Sequence, residues 1–566
     1  MFNKAAEKTA SLLILVGAPF VTVFLVTQSV TDPVNATKLA AAGGLGVGLL
    51  SLALFFNFKA LVSENRLFLV LALIFIFAGM SAVLNSDSPS SQNIYGSFGR
   101  NTGFVTYLIL LAIAIAALTL REALSFKRII FGLQIAGIIN VLYCSWVLIF
   151  GDFLSWNNPY GNILGLFGNP NFISAFLGIF IATLVAQIAA PKTSWKFRFI
   201  GLGISAIAFY QIVDSHSIQG IVVTGGALAI VGFFVIRSRF QTFTFTGIYL
   251  FVVSVVGALA IMGALQKGPW TFIYKTSVSL RGAYWNAGIA MGLENPLTGV
   301  GMDSYGDWYR RTRSENAATV LPGPKVFTNA AHNVVIDFFA YGGFPLLLAY
   351  LGLLALGAAA AIKVIRRTKS YDSVFVAMFT AWTCYQVQSL ISINQVGLAL
   401  WGWILTGTLI AYEIATRTQP AEPDQGRQKT GRSTPKQTAS VISPQLVAGL
   451  GVVVGVLIAV PPLSADMKWR TALDSKDANK VMAALEPGYM NPSDSQRYAQ
   501  AVQLFANSNL MDQAHQVAIK AATFNPDYFD AWKIVYSLSN STPEEKATAL
   551  KNMKRLDPRN PDVTAQ

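Results

Sequence analysis

The sequence predicts an all-α protein that crosses a membrane many times. Of its 566 residues, 53% are hydrophobic and only 12% are charged, which lies outside the range of soluble globular proteins. About thirteen apolar runs approach or reach the length that spans a bilayer. Lys and Arg gather in every second loop between these runs, as the positive-inside rule requires. The net charge of +14 is therefore attributed to cytoplasmic loops and anion contacts rather than to nucleic acid.

The spans and the loops between them define four segments. Residues 1–415 form a transmembrane bundle with a long outward loop at 266–330, and residues 416–445 form a polar, flexible cytoplasmic linker. Basic loops after alternate spans place the N-terminus in the cytoplasm. The first span is retained, because no A-x-A-like cleavage site follows it. The predicted spans are 11–30, 37–57, 66–84, 103–120, 128–150, 171–190, 198–213, 218–236, 243–265, 331–363, 374–394, 396–414 and 446–463.

The last of these spans carries residues 464–566 outside the membrane. This tail reads as amphipathic helices, with small and apolar residues recurring at helical spacing. The pattern NPDYFDAW…LDPRNPD resembles the end of a tetratricopeptide array, in which Pro closes the second helix of each unit. We expect a small α-helical extracytoplasmic domain there.

The long outward loop carries two residues suited to catalysis. His332 follows Thr328-Asn329, and we expect it in the first turn of a helix, where the helix dipole keeps the imidazole neutral and able to act as a general base. Arg281 opens a short predicted helix, RGAYWNAGIAM, and shares its face with Tyr284 and Trp285. Such a face suits a phosphate head group at the bilayer surface. The alternatives are an interfacial histidine bonded to a carbonyl and an aromatic belt helix with an incidental arginine.

Further basic residues lie on the outward side. Arg100 stands in the short loop GSFGRNTGF, whose glycines favour close backbone approach, although an interfacial arginine can also snorkel without function. The long loop adds a cluster that binds substrate or is only a solvated patch: Arg310, Arg311, Arg313 and Lys325.

Two outward segments offer neutral polar groups. Asn169 and Asn171, in NNPYGNILGLFGNPNFIS, could bond sugar hydroxyls or cap the sixth span. His216 and Gln219, in DSHSIQG, lie at the outer end of another span.

Several chemistries have no motif in this chain. There is no Walker loop, no dinucleotide fingerprint and no His/Cys cluster at metal spacing, and the outward acids are scattered. We therefore expect no cofactor and no metal site. A reaction run by Arg and His remains, for a substrate that brings its own leaving group.

Four motifs together resemble the O-antigen ligase/polymerase superfamily. They are GSFGRNTGF, FGNPNFISAFLG, RGAYWNAGIAMGLENPLTGVGMDSYGDWY and AAHNVVIDFFAYGGFP, and they cover roughly residues 95–350. The resemblance implies an inverting, metal-independent glycosyltransferase that uses a glycan on a polyprenyl diphosphate, such as undecaprenyl diphosphate, at the outer leaflet of the bacterial cytoplasmic membrane. It also implies roles: Arg281 and Arg100 bind the diphosphate, and His332 deprotonates the acceptor hydroxyl. Asn333 orients that histidine, and Trp285 and Tyr284 line the lipid-facing side.

One departure from the family pattern concerns phosphate binding. Relatives often carry Ser-Arg-Gly near the outer end of a middle span, where this chain has SHSIQG. Either His216 or Gln219 substitutes for that arginine, or the acceptor class differs.

The function that these observations favour is an O-antigen ligase-like transfer of a lipid-linked glycan to an acceptor hydroxyl. The acceptor is a glycolipid, another glycan chain or a protein, so polysaccharide polymerase and protein O-oligosaccharyltransferase stay open. A small-solute transporter is the alternative from another class, but its ionisable residues should lie near mid-membrane. A non-catalytic scaffold that binds anionic lipid is the third.

Overall fold

The computed structural model describes residues 2–417 and 442–565, and those two ranges are helical without any β-strand. Most of the predicted linker therefore lies outside the described residues. The helices before it are α1 (Lys4–Val23), α2 (Asn35–Glu64), α3 (Arg66–Leu84), α4 (Ser90–Tyr95), α5 (Phe104–Ala117), α6 (Ala123–Phe150), α7 (Pro170–Ile188), α8 (Trp195–Asp214), α9 (Ile218–Phe240), α10 (Phe243–Ala264), α11 (Thr276–Glu294), α12 (Tyr305–Thr312), α13 (Glu315–Thr319), α14 (Val334–Arg367), α15 (Ser373–Ser389) and α16 (Val396–Arg417). The helices after it are α17 (Pro444–Ala459), α18 (Pro461–Ser475), α19 (Ala478–Ala484), α20 (Ser495–Asn507), α21 (Met511–Phe524), α22 (Phe529–Ser537), α23 (Pro543–Leu556) and α24 (Pro561–Thr564).

The described residues confirm a polytopic helical membrane protein. Ten of their helices are long and apolar enough to cross a membrane, and α17 with α18 makes an eleventh if the bent pair is one span. Two of the predicted runs fall on shorter helices, α5 with 14 residues and α15 with 17. The predicted last span, 446–463, is broken, because the chain bends by 51° at Val460 and the Pro461-Pro462 pair.

The bundle is built around α16. In the most apolar 18-residue stretch of α16, 89% of the residues are buried, whereas in the corresponding stretch of α10 none are. Helix α16 therefore forms the centre of the bundle, and α10 lies on its outer surface. Buried apolar side chains from nearly all the spans form one continuous core.

Helix α14, which leads away from the candidate site, is broken at two glycines. Gly342 and Gly343 leave the helical conformation, and Gly343 has a φ of +61°. Residues 296–301, here called the strap, fill the break: Val300 and Gly301 donate their N–H groups to the carbonyl oxygens of Ala340 and Tyr341, at 2.9 and 3.1 Å. The backbone groups freed by the kink are thus satisfied, and the strap is fixed at the end of the bundle.

Glycines hold α17 against α2. A Cβ at Gly455 would lie 2.0 Å from the carbonyl oxygen of Gly43, and one at Gly451 would lie 2.5 Å from Ser51 Oγ. Close backbone approach of this kind is typical of helix pairs in membranes. The C-terminal helices are therefore anchored to the N-terminal part of the bundle.

Helices α18–α24, here called the C-terminal domain, have a hydrophobic core of their own around Trp469, Phe505 and Val517. Helix α21 packs against both α20 and α22, and α23 packs against α22. This order of neighbouring helices fits a helical repeat, and the tetratricopeptide identity stays a prediction.

The C-terminal domain sits on one end of the bundle. Asp466 accepts the backbone N–H of Thr31 at 3.0 Å, and Asp494 accepts that of Phe98 at 3.0 Å. At the opposite end, Glu64 is paired with Arg121 at 2.7 Å. These contacts thus join loops that are predicted to face outwards at one end of the bundle, and loops that are predicted to be cytoplasmic at the other end.

Candidate active site

The candidate active site lies where α11, the strap and the start of α14 meet. A Cβ at Gly288 would lie 2.7 Å from Ile336 Cγ2, and one at Gly292 would lie 2.6 Å from the ring of Phe339. Because neither position has room for a side chain, α11 packs directly against the first turns of α14. This contact brings Arg281 and His332 to one place.

Arg281 lies in the second turn of α11, since the helix begins at Thr276 and not at Arg281 as the sequence pattern suggested. Its side chain is half-buried, and its Nε atom is buried without a hydrogen-bond partner. Burial lowers the pKa of the guanidinium. Among the described residues it makes no ion pair, so its charge is available to an anion.

His332 is held in an unusual backbone conformation next to a carbonyl oxygen. Its φ is +57°, and its Nδ1 lies 3.2 Å from the carbonyl oxygen of Ala330. A carbonyl only accepts, so this bond requires the tautomer with the proton on Nδ1, which leaves the lone pair on Nε2. Burial, followed by the charge of Arg100, lowers the pKa of His332 to about 4; the Ala330 bond opposes this and Arg281 adds to it.

The helix that follows His332 begins later than predicted, after Asn333. Asn333 is the N-cap of α14, and its Oδ1 accepts the N–H groups of Val335 and Ile336 at 3.0 and 3.2 Å. His332 therefore lies one residue before the helix and not in its first turn, and Thr328-Asn329 is not the cap. The side-chain oxygen of Asn333 thus caps the helix, and the structure gives it no side-chain hydrogen bond with His332.

Arg100 reaches the same place from the loop before α5. Its Nη2 donates to Oδ1 of Asn329 at 2.5 Å, three residues from His332. Asp303 holds this loop, because its Oδ2 accepts the backbone N–H of Ser97 at 2.8 Å. Burial raises the pKa of Asp303 to about 6, against the effects of the Ser97 bond and of Arg100.

Two site residues escaped the sequence analysis. Asp303 directly follows the strap and Met302, and Asp337 lies five residues after His332, where its Oδ1 accepts the backbone N–H of Ala331 at 2.7 Å. Asp337 thereby fixes the turn that carries the histidine. Its place one helical turn beyond the His-Asn pair was the only signal available.

Aromatic rings pack against the ring of His332 and against one another. The ring of Tyr284 lies 5.5 Å from that of His332 and 5.7 Å from that of Tyr309, and the hydroxyl of Tyr305 donates to the carbonyl oxygen of Tyr284 at 2.6 Å. Tyr284 is 8% exposed, so it packs beneath the site instead of lining a lipid-facing side. Trp285 is half-buried, and its Nε1 lacks a hydrogen-bond partner among the described residues.

The basic cluster of the long loop contacts the C-terminal domain and not the site. Arg313 is fully buried and donates through Nη2 to both oxygens of Asp557, at 2.7 and 2.8 Å. Arg310 reaches the same carboxylate at 3.3 Å, and Arg311 pairs with Asp527 at 3.0 Å. Each of these guanidinium groups already has a carboxylate partner, which argues against the predicted substrate binding. Lys325 is exposed and is not among the residues around His332.

The two outward segments with neutral polar groups, around Asn169 and around His216, have different contacts. Asn169 caps α7, and the hydroxyl of Ser217 donates to Oδ1 of Asn171 at 2.8 Å. Gln219 is buried and donates to the carbonyl oxygen of Ile391 at 3.3 Å. The carbonyl oxygen of His216 accepts a hydrogen bond from Lys275 Nζ at 3.2 Å, so the residue before α11 places a cation at this turn.

Comparison with known families identifies one domain within the chain. Residues 203–351 match the family model described as O-Antigen ligase. The matched segment contains Arg281, the strap and His332, and it ends within α14. A search of curated proteins gave no match. A glycan-transferring, ligase-like activity follows at this coarse level, and residues 203–351 of the chain form an O-antigen ligase domain.

Proposed function

We propose that the protein transfers a glycan from a polyprenyl diphosphate, undecaprenyl diphosphate in bacteria, to an acceptor hydroxyl at the outer face of the cytoplasmic membrane. The observation that carries this is geometric: the ring of His332 packs on that of Tyr284, three residues after Arg281, and Arg100 donates to Asn329, three residues before His332. Arg281 has no ion-pair partner among the described residues, and burial lowers the pKa of His332. A base beside two cations suits a reaction in which a hydroxyl is deprotonated and an anion departs.

The proposed step is a single displacement. Nε2 of His332 takes the proton of the acceptor hydroxyl while its oxygen attacks the anomeric carbon of the donor sugar. The bond from that carbon to the diphosphate oxygen breaks, and the electron pair leaves with the diphosphate. Arg281 and Arg100 stabilise its growing charge, and attack from the opposite face inverts the anomeric centre.

Lys275 is a candidate for the cation that the Ser-Arg-Gly arginine provides in relatives. It is exposed, and its ammonium lies at the turn that contains His216. We propose that Lys275, rather than His216 or Gln219, binds phosphate at this turn.

The acceptor that we favour is a glycolipid, as in a ligase. The polymerase and protein-transferase alternatives share the same donor chemistry. We also propose the domain division drawn from the sequence: a bundle over 1–415, a linker over 416–445, most of which lies outside the described residues, a last span at 446–463, and an extracytoplasmic domain over 464–566. In this topology the N-terminus is cytoplasmic, and the site and the C-terminal domain face outwards.

Turnover in membranes tests the proposal. We expect His332→Ala and Arg281→Ala each to lower the rate of glycan transfer by roughly 100-fold or more. A positioned general base contributes about 10²- to 10⁴-fold, and one group that stabilises the developing charge contributes about 10²- to 10³-fold. His515→Ala is the matched control, because that histidine lies in the C-terminal domain beside Glu545. Insertion is checked for each variant. Near-normal transfer by both site variants would refute the proposal.

A further inference from the structure

A cavity of about 520 Å³ opens beside Arg100. Its walls come from the loop before α2, the loop before α5, the loop between α6 and α7, and two single residues, Asn329 and Arg470. The volume lies within the range of roughly 300–1,000 Å³ that small-molecule sites occupy. His332 and Arg281 are not on its walls, so it is a separate compartment that shares Arg100 with the candidate active site.

The lining has the chemistry that recognises sugars. Side-chain amides, which both donate and accept hydrogen bonds, alternate with aromatic rings, which can cover the apolar face of a pyranose. The amides include those of Asn157, Asn169 and Asn329, and the rings include those of Trp156, Tyr160 and Phe172.

Much of this polar lining is already fixed in place. Nδ2 of Asn169 donates to the Tyr160 hydroxyl at 3.2 Å, and Nδ2 of Asn35 donates to the carbonyl oxygen of Gly99 at 2.9 Å. Asn157 is exposed, and the structure gives its side chain no hydrogen bond. The cavity therefore combines a rigid wall with at least one free amide at its rim, as a binding site for hydroxyl groups requires.

From this cavity we infer that the protein binds there the sugar units of its donor that follow the reacting sugar. The inference rests on the proposed function. Only one oxygen atom separates the reacting sugar from the phosphorus, so this sugar lies beside Arg100, where its anomeric carbon can also meet the acceptor hydroxyl at His332. The next sugars of the donor can then enter the cavity past Arg100. The acceptor is held through its hydroxyl at His332, which does not line the cavity, whereas the donor is held at Arg100, which does. The shared wall thus favours the donor glycan over the acceptor as the occupant.

The C-terminal domain closes one side of the same cavity. Arg470, on α18, is among the lining residues and is paired with Asp474 at 2.9 Å. A glycan that extends past the first sugars therefore meets the C-terminal domain. In this arrangement the domain contributes to the choice of glycan as well as to the anchoring of the loop.

The test compares two probes on the full-length protein in nanodiscs. One probe is the polyprenyl-diphosphate-linked glycan purified from membranes of the native host, and the other is undecaprenyl diphosphate without sugar. We expect Asn157→Ala combined with Tyr160→Ala to weaken binding of the glycan-bearing probe by roughly 5- to 30-fold, because one or two hydrogen bonds and one ring contact are lost. Binding of the bare carrier should stay within about twofold. Asn507→Ala, at an exposed asparagine of α20, is the matched control.

Other outcomes would overturn the inference. Equal weakening of both probes would mean that the variant disturbs Arg100, and unchanged binding of the glycan-bearing probe would mean that the cavity is not used. An increase in the KM for the acceptor alone would assign the cavity to the acceptor. Each of these results is compatible with a dependence of transfer on His332, so each would leave the proposed function standing. Transfer that survives His332→Ala would instead refute the function itself.

Discussion

The ion pair between Arg313 and Asp557 should hold the C-terminal domain on the long loop. Both side chains are fully buried, and the carboxylate also accepts Nδ2 of Asn560 at 2.8 Å and Nη1 of Arg310 at 3.3 Å. Asp557→Asn keeps the shape of the side chain and removes its charge. Two guanidinium groups then share a buried site without this carboxylate, and removing one partner of a buried pair typically costs about 3–5 kcal/mol.

That cost sets the expected size of the effect. About 3 kcal/mol raises the population of the detached or locally open state by roughly 100-fold. Hydrogen exchange of the reconstituted protein measures this opening, and it should rise in the loop around α12 and in α23 while α16 stays protected. Limited proteolysis of the same segments provides a second readout.

A surface pair of the same domain is the control. Lys520 and Glu486 lie 3.0 Å apart, but their side chains are 42% and 63% exposed. Glu486→Gln should therefore change stability by less than about 1 kcal/mol. If Asp557→Asn opens the loop no more than this control does, the reasoning that the buried pair fixes the domain is wrong. Replacing both partners, as in Arg313→Met with Asp557→Leu, should recover part of the loss, because the Arg313 charge is then no longer buried without a partner and Arg310 keeps Asp530 at 4.0 Å.

Two further predictions concern the base and the last span. The acid limb of kcat/KM should lie near pH 4 rather than near pH 6.5, because the pKa of His332 is lowered to about 4. Arg281→Ala removes a cation that lowers this pKa, so the residual activity should show the limb at higher pH. A wild-type limb near pH 6.5, or no upward shift in the variant, would contradict this explanation. Gly455→Val should displace α17 from α2, since even a Cβ at this position would lie 2.0 Å from the carbonyl oxygen of Gly43, and cross-linking of cysteines placed on the two helices should fall severalfold. Gly449→Val is the matched control because nothing lies within 4 Å of that position, and equal cross-linking in both variants would count against the glycine contact.

The sequence predicted the helices well and the details of their breaks poorly. Each of the thirteen apolar runs falls on a helix, because a segment of that composition must satisfy its backbone internally in lipid. The kink at Gly342 and Gly343 was not predicted. Its backbone groups are satisfied by Val300 and Gly301, residues about forty positions earlier that no local pattern connects to α14.

The sequence by itself determined the class of protein, the family domain and the short motifs around Arg100, Arg281 and His332, because each depends on residues close together in the chain. Only the tertiary structure decided which charges are free. Arg313 looked like a substrate ligand until its partner, 244 residues away, was seen to be Asp557. The use of a charged side chain depends on whether it meets an opposite charge or water, and such long-range contacts are set by the packing of the whole fold.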